Sequence, residues 1–260
     1  MYQSAHYPSP INFPEGHSGK ISLKHRVITD THITVIGARQ AFLRGQRPAK
    51  APLAAPLTIH ELIEKDQGVW MTDLPEELNQ IYEALYTLRP RGDILVGGLG
   101  LGLLPRILLQ NNVNQVITNI TVVEKNKNII KLCGQNTPFA VVRQDIMQYL
   151  LTSPHRHDVY MLDTWQGTSE GTWWGEVLPL RRASRRRWGM RPVIHCWAED
   201  IMLGQVGRML MTKAPPGTIK PRHYAKLPTM THQQAKYFVQ HAGMPAWEKK
   251  YGVLLNDTGD

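Results

Sequence analysis

Glycine recurs in the run Gly97-Gly98-Leu99-Gly100-Leu101-Gly102; the carboxylates Glu124, Asp145 and Asp163 follow it and Asp73 precedes it. Glycine at this spacing turns a chain tightly and brings backbone N–H groups up to a ligand with no Cβ in the way. A carboxylate 22 residues beyond Gly102, at Glu124, suits the acceptance of hydrogen bonds from ribose hydroxyls. Asp163 is the first candidate for orienting or deprotonating a nucleophile, and Asp73 the second. Each of these acids also has a structural reading. Glu124 suits a solvated strand end, while Asp145, Asp163 and Asp73 suit caps of the helices that follow them.

The elements that must position these residues begin at Asp93. Ile94-Leu95-Val96 reads as a buried strand, Leu103 to Gln110 as a helix, Ile120 to Glu124 as a strand and Lys127 to Cys133 as a helix. Ala140 to Asp145, Asp158 to Asp163 and Pro192 to Trp197 supply three more strands. Five strands alternating with helical or loop material predict an α/β, Rossmann-like fold with a mostly parallel central sheet. The first four strands each end in glycine or an acid, at the sheet edge where open α/β sheets bind ligands.

Ahead of the sheet, residues 1–20 and Arg44 to Pro56 are rich in Pro and polar or basic residues and read as loops or arms. His32 to Gly37 and Gly68 to Asp73 read as short strands, and Leu74 to Leu88 carries Leu78, Ile81, Tyr82 and Leu85 at helical spacing. After Glu199, helices are expected over Ile201 to Met211 and Thr231 to Ala242. This divides the chain into a β-containing extension over 1–90, a cofactor-binding core over 91–200 and a C-terminal helical segment over 201–260.

The segments VGGLGLG, VVEKN, RQDIMQYL and VYMLDTW resemble successive motifs of class I S-adenosylmethionine-dependent methyltransferases, over about residues 68–200. The double glycine, Val96 and the strand Val69-Trp-Met-Thr-Asp73 resemble the spermidine-synthase-like branch, which includes uncharacterised phage and bacterial proteins. The resemblance implies S-adenosyl-L-methionine as cofactor. It places Gly98, Leu99, Gly100 and Gly102 at the methionine part, Glu124 at the ribose, and Asp145 with Ile146 at the adenine, with Lys125 also among the cofactor-binding residues. Asp163 would face the methyl sulfonium and an unidentified acceptor, and the branch implies a homodimer. Aminopropyltransferases resemble a GGGDG turn, whereas Gly100 stands in place of the Asp here and Asp163-Thr-Trp-Gln-Gly follows the fourth strand, which disfavours polyamine synthesis. Neither a DPPY-type segment nor a Pro-Cys nucleophile is present, so the acceptor class stays open.

Thirty Lys and Arg against 21 Asp and Glu give a net charge of +9, a bias toward polyanionic partners. Arg181, Arg182, Arg185, Arg186 and Arg187 crowd the end of an expected helix, near Trp165, Trp173, Trp174 and Trp188. That run reads either as a solvated basic face or as a nucleic-acid surface in which rings stack on bases. A noncatalytic, nucleic-acid-binding protein on the same fold is therefore the main alternative, and a nicotinamide-binding enzyme a third. Cys133 and Cys196 lack metal-ligand spacing, so no metal is expected and both read as reduced, packed thiols. His195 reads as a core histidine before a catalytic one. No apolar run approaches the roughly 20 residues of a membrane span, and the N-terminus lacks the basic start and apolar stretch of a secretory signal. A cytoplasmic protein with no membrane partner is expected.

Overall fold

The computed structural model describes residues 9–37, 41, 47–53, 55–165, 172–189, 192–199, 201, 202 and 205. The helix expected over Thr231 to Ala242, most of that over Ile201 to Met211, and parts of the two loop-like stretches lie outside the described residues.

The extension is built from strands. β1 (Gly16–Ser18), β2 (Ile21–Ile28), β5 (Leu57–Glu64) and β6 (Gly68–Thr72) form a four-stranded antiparallel sheet in the order β1-β2-β5-β6. Ile21, Leu23, Ile59 and Leu62 are buried, which pins the long β2–β5 register because a one-residue slip would turn this apolar set outward. β3 (His32–Ile36) pairs with β4 (Ala49–Pro52) in a two-stranded ribbon. β4 thus places a strand within the stretch Arg44 to Pro56, which composition assigns to loop. Pro52 is tolerated because it ends its strand, opposite His32, where a missing N–H removes little from the ladder. Ile28, Ile33 and Ile59 pack with Val35, Leu53, Leu57 and Leu74 to join ribbon and sheet.

α1 (Pro75–Leu88) follows β6 and opens with proline, whose absent N–H is an unpaired helix-end donor in any case. Glu76 and Glu77 sit in its first turn, favourable to the helix dipole. Pro75, Leu78, Ile81 and Leu85 form its buried face. The helix stops at Arg89, left-handed at φ 44°, whose N–H returns to the Leu85 carbonyl.

The second sheet holds β7 (Gly92–Gly97), β8 (Ile117–Glu124), β9 (Ala140–Arg143), β10 (Val159–Leu162) and β11 (Val193–Cys196). Its order is β11-β10-β7-β8-β9, so within the sheet the strands run 5-4-1-2-3 in chain order. β7 pairs with β8, and β8 with β9, in parallel. An order that grows outward in both directions from the first strand is that of doubly wound, Rossmann-like α/β sheets. Ile94, Leu95 and Val96 are almost wholly buried, as expected for a parallel strand covered on both faces. α2 (Leu103–Gln110), α3 (Lys127–Cys133) and α4 (Ile146–Thr152) occupy the successive connections. α2 packs on β8, and α3 packs on β8 and β9 as well as on β1 and β2.

The chain divides into two compact units, one of residues 1–146 with 157–160 and one of 147–156 with 161–260. The second unit carries α5 (Leu178–Trp188), which continues from a π-helical turn at Trp173–Val177 and buries Leu178, Leu180, Ala183 and Ser184. Among the described residues, no helix is long and apolar enough to cross a membrane.

Candidate functional site

Parallel pairing sets the geometry of the glycine turn. Gly97 at the end of β7 pairs with Val123, one residue before the end of β8, and Glu124 pairs with Arg143 at the end of β9. The turn after β7, Glu124 and the Gln144–Asp145 segment therefore stand at one edge of the sheet, the carboxyl edge. Gly98, Gly100 and Gly102 all have positive φ (90°, 50° and 71°), a conformation that strains any residue with a Cβ. The glycine spacing in the sequence thus has its cause in the backbone.

The turn is held almost entirely by the protein's own acceptors. Gly98 N–H donates to the Val123 carbonyl (2.9 Å), Leu99 N–H to Glu124 Oε2 (2.9 Å), and Gly102 N–H to the Leu99 carbonyl (2.7 Å). Leu101 N–H meets the sulfur of Met71, reaching across from β6, at 3.2 Å. A Cβ on Gly100 would lie 2.5 Å from the same sulfur, so Met71 fills the place of a side chain at position 100. This leaves the Gly100 N–H, among the turn's amides, without a protein acceptor among the described residues.

Glu124 is only 7% exposed. Its Oε1 accepts from Asn126 N–H (2.7 Å) while Oε2 takes the Leu99 N–H, so one carboxylate braces the glycine turn and the start of α3 together. Asn126 in turn caps α3, its side chain accepting from Asn128 N–H at 2.9 Å. Each carboxylate oxygen has two acceptor positions, so Glu124 retains one on each for a ligand hydroxyl. Lys125 and Asp145 are exposed beside it, and Ile146 is buried.

Asp73 has a different occupation. It is buried, accepts the His60 N–H on Oδ1 (2.6 Å) and pairs with His60 Nδ1 through Oδ2 (2.7 Å). Both oxygens are thereby committed to β5. Asp73 does not cap α1 either, since the cap position is Leu74 and no side chain bonds there. Thr72 instead receives the helix's own acid, its N–H and hydroxyl donating to Glu77.

Asp163 follows β10 in the second unit, where the Trp197 N–H donates to the Leu162 carbonyl (2.9 Å) and ties β10 to β11. Burial pushes the Asp163 carboxyl up to about 7. A carboxyl near neutrality exchanges protons at working pH, the property wanted of a general acid or base. The same unit disperses the arginine run. Arg181 donates from Nε to Glu199 Oε1 (2.6 Å) and from Nη2 to Oε2, and Glu199 also accepts from Trp173 Nε1 (3.2 Å). Burial opposes the Arg181 charge, but the Glu199 bond and charge hold it above its ordinary value. Arg187 lies over the Trp188 ring and spends both terminal nitrogens on the Leu151 and Ser153 carbonyls. Trp165 and Trp173 are buried, and the Trp174 side chain lies outside the described residues. His195 is half-buried, edge-on to Trp197. Cys133 is buried and its thiol pushed up to about 12 by that burial, while burial and then Glu199 raise Cys196 further. Both are unreactive at neutral pH.

Sequence reasoning did not single out Met71, His60, Glu199 or the difference between Arg181 and Arg182. Met71 stands in an expected strand, but strand alternation names a face and not the loop that the face meets.

No protein-family model matches the chain, and no curated protein matches it. Among solved structures, spermidine synthase from Thermotoga maritima is similar at 13% identity and TM-score 0.36, covering 88% of this chain and 97% of its own. MNMC2 from Aquifex aeolicus is similar at 14% identity and TM-score 0.39, covering 59% of this chain and 60% of its own. SAM-bound CalS10, an amino pentose methyltransferase from Micromonospora echinaspora involved in calicheamicin biosynthesis, is similar at 12% identity and TM-score 0.32. It covers 47% of this chain, which spans half of its length. The assignment of a doubly wound α/β fold rests on this chain's own strand order and register.

Proposed function

We propose that the chain binds S-adenosyl-L-methionine at the carboxyl ends of β7, β8 and β9 and transfers its methyl group to an acceptor. The observation that supports this most is Glu124, a nearly buried carboxylate level with the glycine turn and hydrogen-bonded to it. An acid so placed holds a diol and fixes the turn beside it with one side chain.

In this reading the Gly98–Gly102 backbone holds the amino-acid end of the cofactor, and the unengaged Gly100 N–H is its donor to a carboxylate. Glu124, with Lys125 beside it, holds the ribose through the acceptor positions its backbone bonds leave open. Asp145 and the buried Ile146 hold the adenine, one by hydrogen bonding and one by apolar contact. The bound cofactor supplies a methyl group already activated on a sulfonium. What the protein then contributes is orientation of an acceptor, worth several kcal/mol in favourable cases, and removal of a proton where the acceptor carries one. Asp163 is assigned that proton, because its raised carboxyl releases and takes one near pH 7. Asp73 is assigned no proton, because it is buried and turned onto His60.

Isothermal titration calorimetry with S-adenosylmethionine, S-adenosylhomocysteine, decarboxylated S-adenosylmethionine and NAD tests this on wild type and Glu124→Ala. Heat from the first two, lost in the variant, is the expected result. Preference for the decarboxylated compound would make the chain an aminopropyltransferase instead, preference for NAD a nicotinamide enzyme, and silence for all four would end the cofactor reading.

A further inference from the structure

Arg181 and Arg182 are neighbours on α5, yet their guanidinium groups meet opposite fates. The Nε–Nη2 edge of Arg181 is filled by the Glu199 carboxylate, and its Nη2 also reaches the Ile194 carbonyl at 3.1 Å. The same two atoms of Arg182, Nε and Nη2, are buried and have no hydrogen-bond acceptor among the described residues. A buried donor without an acceptor costs on the order of 1–3 kcal/mol, and more when charged. Arg182 therefore lacks both the carboxylate and the carbonyl that answer Arg181.

The chemistry of that edge names what completes it. The two N–H groups of a guanidinium edge point the same way, spaced to meet two oxygens on one atom. Its own helix offers that edge no anion. No acidic residue stands between Leu178 and Trp188, and Arg185 follows Arg182 by one helical turn. We propose that Arg182 is an oxyanion receptor that holds a phosphate group through Nε and Nη2 together. The inference does not rest on the methyl-transfer reading and stands whether or not the glycine turn binds a cofactor. The phosphate belongs either to a small phosphorylated molecule or to the backbone of a nucleic-acid strand, and the two sources present the same pair of oxygens.

The test uses the full chain as wild type, Arg182→Met and Arg182→Lys. Each is titrated calorimetrically with inorganic phosphate and, separately, with a single-stranded RNA oligonucleotide lacking terminal phosphates. Melting temperatures are measured with and without the probe. Saturable heat that Arg182→Met abolishes, and that Arg182→Lys weakens about tenfold by keeping charge but losing the fork, is the expected result. Phosphate heat marks a small ligand, whereas heat with the oligonucleotide alone marks a strand. Without probe, Arg182→Met melts at or above wild type, because a buried unanswered charge has been removed. With the bound probe, wild type gains stability that the Met variant does not share, beyond the general stabilisation phosphate gives any protein. The proposal is overturned if neither probe binds wild type, if Arg182→Met binds as well as wild type, or if it melts well below wild type without probe.

Discussion

The glycine turn and helix α5 handle their hydrogen-bonding groups in opposite ways. In the turn, Glu124, Met71 and two carbonyls answer nearly every N–H, so the protein's own groups fix the loop's conformation. On α5 the same discipline reaches Arg181 and Arg187 but stops at Arg182, whose fork is buried and unanswered among the described residues. The contrast teaches where each region's ligand enters the energetics. A self-satisfied turn is pre-formed, so a ligand adds contacts to a structure that already exists. A buried, unmatched guanidinium leaves part of the folding free energy to its ligand.

The sharpest way to break the comparison is to take the carboxylate away from Arg181, leaving it only the Ile194 carbonyl. Glu199→Leu removes the carboxylate from a largely buried pair and from Trp173, and is expected to lower stability by about 3 kcal/mol in chemical denaturation. A loss within a few tenths of a kcal/mol of zero would mean that α5 tolerates unmatched guanidinium groups and that Arg182 needs no ligand.

The turn is tested next. Glu124→Ala strands the Leu99 and Asn126 N–H groups, with an expected loss of about 2 kcal/mol alongside the lost calorimetric signal for S-adenosylhomocysteine. Stability loss without loss of binding would make Glu124 a brace only. Gly100→Ala follows, at about 1–2 kcal/mol, from its positive φ and from the collision with the Met71 sulfur. Adding Met71→Ala to Gly100→Ala should make the double variant less destabilised than the sum of the singles, a non-additivity that reads out the contact directly. Strict additivity would show that the backbone conformation alone excludes a side chain there.

The last effect expected is one of pH. The Asp163 carboxyl is raised by burial to about 7, so the folded protein binds a proton that the unfolded chain releases near pH 4. The stability tied to the protonated form is fully present below that point and is lost as pH rises toward 7. Relative to Asp163→Asn, wild type should therefore lose a few degrees of melting temperature across that interval and no more above it. A flat difference between the two proteins would place the carboxyl in water and remove it as a proton carrier.

Within unit one, the local signals were legible because their causes are local. Glycines at 98, 100 and 102 mark positive φ, apolar runs mark buried parallel strands, and an acid at the end of β8 faces the same edge as the turn by strand register. The strand β4 was not legible, since Ala-Lys-Ala-Pro has weak strand propensity and is extended by its pairing with β3. The role of Asp73 was likewise hidden: its spacing suits a helix cap, but His60, thirteen residues earlier, claims both oxygens through the β5–β6 pairing.

Sequence alone determined the βαβ alternation, the glycine turn and the strand-end placement of Glu124, because backbone conformation and hydrophobic periodicity act over a few residues. Only the tertiary structure decided that Met71 fills the space beside Gly100, and that of two adjacent arginines one is paired and one is not. A side chain's partner depends on which distant elements pack beside it, and five arginines within seven residues look alike until the fold supplies one of them with Glu199.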